Sequence, residues 1–258
     1  MPEERNPSGK PEEKPFLDHL EDLRFLILKI LAAWGAASLL AFALAGRVMT
    51  VVQWPLVRMV REYGLPEGEF VLRSLSPPEV FLISLRLSIL AGLIVALPVI
   101  LYFLSRFLLP ALKPEEKKYL VPAFVFGGAL FFAGVVFAYA VVLPVSLRFF
   151  WAYTLRLGIR PEWTLANYIG MVGKLTLGFG LVFELPVVIM LLAAIGIIDH
   201  RTLRRKRPYV MIGILVMAAV LTPPDVVTQV LMAVPLLILF EICVILAKIL
   251  FPGKSRKV

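Results

Sequence analysis

Apolar residues in this chain gather in long runs separated by short polar stretches. Four runs are long: Phe25–Ala45, Glu79–Leu104, Leu120–Leu143 and Tyr168–Ile198. A helix of about 20 apolar residues rises about 30 Å, enough to cross the hydrocarbon core of a bilayer. Two further runs, Tyr209–Leu221 and Val226–Leu246, are short. The fifth has about 13 residues and rises only about 20 Å. Either the bilayer thins there or these helices stop partway across, shielded by neighbours. The pattern predicts an all-α membrane protein with six transmembrane helices, the fifth and sixth short. Pro98 interrupts span two and Pro186 lies inside span four.

The segments between the runs have their own patterns. Phe16, Leu17, Leu20 and Leu23 alternate with Asp18, Glu21 and Asp22 at helical spacing, which predicts a short surface helix over Phe16–Arg24 feeding span one. Val48–Tyr63 has helical apolar spacing and is expected to pack on the membrane. Phe70–Leu75 reads as a short strand or extended piece. Pro144–Asn167 reads as a second outer loop, rich in the aromatic residues that favour the interface. Asp199–Pro208 is a basic turn, and Thr222–Asp225 joins the two short spans. Residues 1–15 are rich in Pro, Glu and Lys and are expected to be disordered, residues 16–248 to form one integral domain, and 249–258 to be a loose basic tail. No internal repeat is visible.

Composition agrees with this layout. Of 258 residues 60% are hydrophobic, and the mean hydropathy is +0.87. That excess exceeds what a soluble core needs. The net charge is +9, but the basic residues sit in loops between spans rather than on a soluble module, so nucleic acid is not an expected partner. Seventeen Lys and Arg fall in the N-terminal segment, 106–118, 201–207 and 248–257, against seven in the alternate loops. The positive-inside rule therefore puts both termini in the cytoplasm. Residues 1–14 have no apolar core, so span one is expected to act as its own insertion signal. The single cysteine, Cys243, excludes an internal disulfide.

The charged turn between spans two and three, Ser105–Tyr119, holds an acidic pair, Glu115 and Glu116, among Arg106, Lys113, Lys117 and Lys118. Pro110 and Pro114 stiffen it. The pair either balances the lysines and favours the start of span three, or presents carboxylate to a guanidinium, which binds it bidentately. Asp18, Glu21 and Asp22 could join such a site. Glu184 lies inside span four, where a charged group costs at least about 2.5–3.5 kcal/mol. It is either protonated and hydrogen-bonded within the bundle, or a docking or conduction group facing a wet concavity. Glu79 and Arg86 on span two could snorkel or pair. Lys174 stands about 15 Å along the helix from Glu184, too far for a direct pair. Asp225 suits the N-cap of span six, and Gln229 one turn later would want a partner on another helix. His19 and His200 lie at membrane edges without metal-ligand spacing. No phosphate loop, nucleophile motif or metal cluster is present, so neither an enzyme centre nor a cofactor is expected.

Taken in order, HLEDLR at His19–Arg24, RFLLPALKPEE at Arg106–Glu116, GFGLVFELPV at Gly178–Val187, LTPPDVVTQ at Leu221–Gln229 and FEIC at Phe240–Cys243 resemble the TatC family, the multispanning receptor of the twin-arginine protein translocase. The resemblance implies a concave, glove-like bundle in the cytoplasmic (inner) membrane. It implies binding of twin-arginine signal peptides and, with small single-span subunits of TatA and TatB type, export of folded proteins driven by the proton-motive force. Homo- and hetero-oligomers, and lipid contact, follow from it. In the family's pattern Glu116 matches the glutamate that contacts the arginine pair, with Glu115 beside it. Phe107 matches a nearby functional phenylalanine, and Asp22 and Arg24 match the N-terminal motif. This chain departs from that motif with Asp22 where Glu is usual and Leu26 where a second basic residue is common. Glu184 matches the intramembrane glutamate, and Gln229, with Asp225, the region where single-span partners dock. The rival reading from another class is a proton-coupled secondary transporter with Glu184 as proton carrier.

Overall fold

The computed structural model describes residues 16–64, 71–108, 110, 114–194, 198, 200–221 and 226–250. Nearly all of them are helical: α1 (Phe16–Ala43), α2 (Ala45–Glu62), α3 (Glu79–Leu108), α4 (Pro114–Phe137), α5 (Leu143–Arg156), α6 (Leu165–Phe183), α7 (Leu185–Ala194), α8 (His200–Arg205), α9 (Arg207–Leu221) and α10 (Val226–Leu250). Among the described residues four helical runs are long and apolar enough to cross a membrane: Leu20–Ala43, Glu79–Leu108, Phe124–Arg156 and Leu165–Ala193. Arg207–Ala219 is a shorter apolar helix, as its length in the sequence requires. The tails 1–15 and 251–258 lie outside the described residues. Helix α10 runs on to Leu250, past the expected start of the C-terminal tail.

The surface helix and span one are one uninterrupted helix, α1. It lies antiparallel on α3. The rings of Phe42 and Phe81 meet edge-on, with centroids 6.1 Å apart, and Trp34 Nε1 donates to the Ile89 carbonyl at 3.0 Å. Gly92 permits the approach, since a Cβ there would lie 2.5 Å from Ser38 Cα. Small residues at such crossings let helix backbones come close where no hydrophobic drive exists between helices in lipid. Leu28, Leu31, Leu39 and Leu40 face away from the protein and are exposed.

Helix α2 packs differently from expectation. Its apolar stripe, Pro55, Leu56, Met59 and Val60, is buried in protein rather than laid on the bilayer, against α3 and α5. Pro55 has no N–H, so the Val51 carbonyl four residues back loses its helical donor. The Tyr139 hydroxyl donates to that carbonyl, and the Tyr168 hydroxyl donates to the Val52 carbonyl at 2.6 Å. Two tyrosines from other helices thus repair a proline-broken ladder. Glu62 then joins this helix to α5 through Arg148 at 2.6 Å. The extended piece expected at Phe70–Leu75 is extended over its described residues, 71–75. There Arg73 bridges to Thr164 and pairs with Glu162 at 3.0 Å. Together these contacts cap one end of the bundle.

The expected outer loop at Pro144–Asn167 is instead mostly helix. A π turn at Ala138–Val142 precedes α5, and Pro144 sits in the first turn of that helix. The Leu143 N–H reaches the Ala138 carbonyl, five residues back. The wider turn absorbs the proline that an α-helix would reject. The run therefore continues to Arg156. Span four is corrected too. It starts at Leu165, where Thr164 Oγ1 accepts the Asn167 N–H at 3.3 Å as an N-cap, and it breaks at Glu184 between α6 and α7. Glu79 does not pair with Arg86. It closes the 74–79 turn, accepting from the Leu75 and Ser76 N–H groups and the Ser74 hydroxyl.

Helices α4 and α6 meet through Gly134 and Gly180. A Cβ on Gly134 would lie 2.6 Å from the Phe179 carbonyl oxygen, and one on Gly180 the same distance from the Phe131 ring. Gly128 has open space instead. Gly134→Ala is expected to destabilise by about 1–3 kcal/mol, the usual cost of overpacking against backbone. Gly128→Ala should be neutral. Thermal unfolding of the two purified variants in detergent checks the contrast, and equal midpoints would refute this packing account.

Candidate functional site

The end of the bundle opposite the α2 cap gathers most of the charged residues singled out in the sequence. The register set by Phe42 against Phe81 and Trp34 against Ile89 runs antiparallel. Continued along α1, it brings Asp22 level with Leu101 and Arg24 level with Val99, with Arg106 and Phe107 further toward the same end of α3. Asp22 and Arg24 are exposed and Phe107 is half-buried. Asp22 and Phe107 each have an interaction partner in the structure. Five residues after α3, helix α4 begins at Pro114, a proline in the first helical turn where its missing N–H costs nothing. Glu115 and Glu116 follow in that first turn. There the free N–H groups and the helix dipole favour negative charge. Their side chains lie outside what the structure describes, as do residues 111–113.

Glu184 stands at the α6/α7 break. Its carbonyl accepts from the Val187 and Val188 N–H groups at 3.0 and 3.2 Å, which restarts the helix around Pro186. The side chain turns toward α4, where Gly127 leaves it room; a Cβ on Gly127 would lie 2.8 Å from Glu184 Oε2. Glu184 Oε1 is buried with no hydrogen-bond partner. A buried carboxyl oxygen left this way costs free energy.

Helices α9 and α10 form a hairpin; α9 is short as expected, but α10, expected to be short, runs 25 residues. Gln229 Nε2 donates to the Leu215 carbonyl at 3.1 Å, linking α10 to α9. The cross-helix partner that the sequence called for is therefore present. Asp225 lies outside the described residues. At the other end of the hairpin Arg207 pairs with Glu241, both about two-fifths exposed. This ion pair escaped the sequence reading. The signal was a charge inside the sixth apolar run with a basic cluster at the start of the fifth. Among the described residues no group of His, Cys, Asp and Glu is placed to hold a metal ion.

Comparison with known proteins gives a consistent answer. Residues 18–235 match the profile of the family described as "TatC: Sec-independent protein translocase protein (TatC)". A relative of that description from Escherichia coli K12 is 36% identical over 246 residues, covering 95% of this chain and 92% of its own. One from Akkermansia muciniphila is 42% identical over 178 residues, 69% of this chain. That match spans only 51% of the Akkermansia protein, so the chain covers about half the length of that relative. Among solved structures, "Crystal Structure of Twin Arginine Translocase Receptor- TatC" superposes with a TM-score of 0.76 at 36% identity, covering 90% of this chain and 98% of that one.

The Arg207–Glu241 pair gives a direct test of the hairpin. Arg207→Gln and Glu241→Gln should each lower thermal stability. The double variant should lose less than their sum, with a coupling of about 1 kcal/mol. Strict additivity in detergent and in nanodiscs would show that the pair does not hold the hairpin.

Proposed function

The chain belongs to the TatC family of Sec-independent protein translocase proteins, and we propose on that premise that it is the receptor of a twin-arginine translocase, binding signal peptides on its cytoplasmic face. In this reading the spans number six, both termini are cytoplasmic, and the α2-capped end faces outward. What supports it is that the Asp22–Arg24 turn of α1, the Phe107 end of α3 and the first turn of α4, which holds Glu115 and Glu116, all lie toward one end of the bundle. Two guanidinium groups need carboxylates in reach, and charge-assisted hydrogen bonds contribute about 1.5–3 kcal/mol each. The α4 terminus holds the acidic pair at a fixed height on a rigid element. Arg24 and the lysines of the turn supply the cytoplasmic charge that orients the chain. The apolar part of the signal peptide then lies along the helices. The bundle is concave, residues 16–248 act as one integral unit, and the proton-motive force drives transport.

Glu184 serves a later step. Its unpartnered oxygen suits a polar group on a small single-span subunit, of TatA or TatB type, that enters the membrane beside α4 and α6. The α9–α10 hairpin, with Gln229 and Asp225, offers the neighbouring docking surface. Several copies of the chain and of its partners assemble around bound cargo.

Three outcomes are expected. Glu116→Ala should weaken binding of a twin-arginine signal peptide at least about tenfold, the loss of one charge-assisted hydrogen bond. A twin-lysine peptide should bind poorly even to the unaltered protein, because lysine lacks the planar fork. Fluorescence anisotropy with both peptides checks this, and full binding by the variant would sink the assignment. Glu184→Gln should keep peptide binding yet lose export in a reconstituted vesicle assay; normal export would make its charge dispensable.

A further inference from the structure

Between α3 and α6, toward the capped end, lies a cavity of about 270 Å³. Arg86 and Lys174 line it, and the rest of its lining is apolar or glycine: Leu87, Leu90 and Ile169 beside Gly170 and Gly173 among others. No carboxylate lines it. Arg86 stands about 10 Å along α3 from its first residue, and Lys174 about 14 Å along α6 from its own. Both helices start at the capped end, tied there by the Arg73–Thr164 bridge. The two cations are therefore at similar depth, in runs that read as membrane-spanning. An ionisable residue at such depth calls for a partner or a function. Here two of one sign share a cleft. Long basic side chains beside an apolar surface keep their stems on it and send their charges toward the interface.

The helix surfaces around the cleft are apolar and bare. Val80 on α3 and Leu181 on α6, each about one turn from a lining residue, Ile83 and Leu177, are exposed. Gly173 brings the helices close, since a Cβ there would lie 3.1 Å from Leu90 Cδ1, while Gly170 faces open space. We propose that this cleft binds an anionic diacyl phospholipid, with the phosphate between Arg86 and Lys174 and the acyl chains along the apolar faces of α3 and α6. Charge selects the occupant: two cations without a carboxylate favour a phosphate over a zwitterionic headgroup, whose own cation they repel. Basic pockets between spanning helices hold anionic headgroups by this same chemistry. The bound lipid would seal the α3–α6 seam on the side away from α1.

Native mass spectrometry of the full-length protein tests this, in micelles with equal phosphatidylglycerol and phosphatidylcholine of matched acyl chains. Phosphatidylglycerol adducts should exceed phosphatidylcholine adducts by at least about fivefold, the effect of one basic residue near an anionic lipid. Arg86→Gln with Lys174→Gln should bring that ratio near one, while Arg47→Gln with Arg156→Gln leaves it unchanged. Gly170→Leu, which fills the cleft and keeps both charges, should also abolish the preference. It serves as the reporter if the double variant does not fold. A ratio near one in the unaltered protein, or a preference that survives in either cleft variant, overturns the proposal. So does full displacement by soluble glycerol phosphate, which would make the occupant a free anion. Binding of an acidic single-span peptide that depends on both cations, in place of the lipid, would equally overturn it.

Discussion

Inside a bilayer a backbone N–H or C=O without a partner cannot turn to water, and each such group costs several kcal/mol. This chain places prolines inside or at the start of most of its helices, each of which removes a donor. The fold depends on how the resulting debts are met. Pro55 frees a carbonyl that Tyr139 caps, with Tyr168 serving the next carbonyl along. The π turn before Pro144 shifts the ladder by one residue and lets the helix run on. At Pro186 the chain stops one helix and starts another, with the Glu184 carbonyl accepting twice. Hydroxyls do the same on a smaller scale: Ser88 Oγ donates to the Ser84 carbonyl at 2.7 Å, and Thr176 Oγ1 to the Val172 carbonyl at 2.8 Å.

These repairs also position the charges. The tyrosine bonds and the Glu62–Arg148 and Arg73–Glu162 pairs lock the capped end into a rigid lid. The other end carries charge near helix termini, with Asp22, Arg24 and Arg106 exposed. Glu184 sits where the proline break lets a carboxyl turn into the bundle, next to a glycine with room for it. In the α9–α10 hairpin α9 is short, while α10 runs 25 residues and adds Leu236 and Phe240 to the core. The hairpin is tied at both ends, by Gln229 to Leu215 and by Arg207 to Glu241. The proposed binding of a cationic peptide at one end would draw on this division between a tied end and a charged one.

Much of this was legible from residues alone. The four long apolar runs, the short fifth run and the amphipathic stripe of Val48–Tyr63 each follow from a period or a length, which are local properties. The acidic pair at Glu115 and Glu116 and the buried-charge problem at Glu184 were visible as residue types in unusual places. Pro144 misled because a lone proline in a sequence reads as a stop, and only an adjacent π turn shows how a helix passes it. Glu79 was set against Arg86 by spacing, yet the turn beside it offered backbone donors that were nearer. The Arg207–Glu241 pair was missed because its members are 34 residues apart and no local pattern links them.

The residues alone determined that the chain has membrane-length apolar runs, roughly where they lie, and which turn carries the acidic pair. Hydrophobic length and charge placement are set residue by residue against the same solvent, so they need no fold to be read. The tertiary structure decided which charge meets which. It put Tyr139 and Tyr168 on the carbonyls near Pro55, and Glu184 beside Gly127. It also placed Arg86 and Lys174 in one cleft from helices nearly ninety residues apart. Those pairings depend on helix register and close approach through glycine, which exist only once the helices are packed.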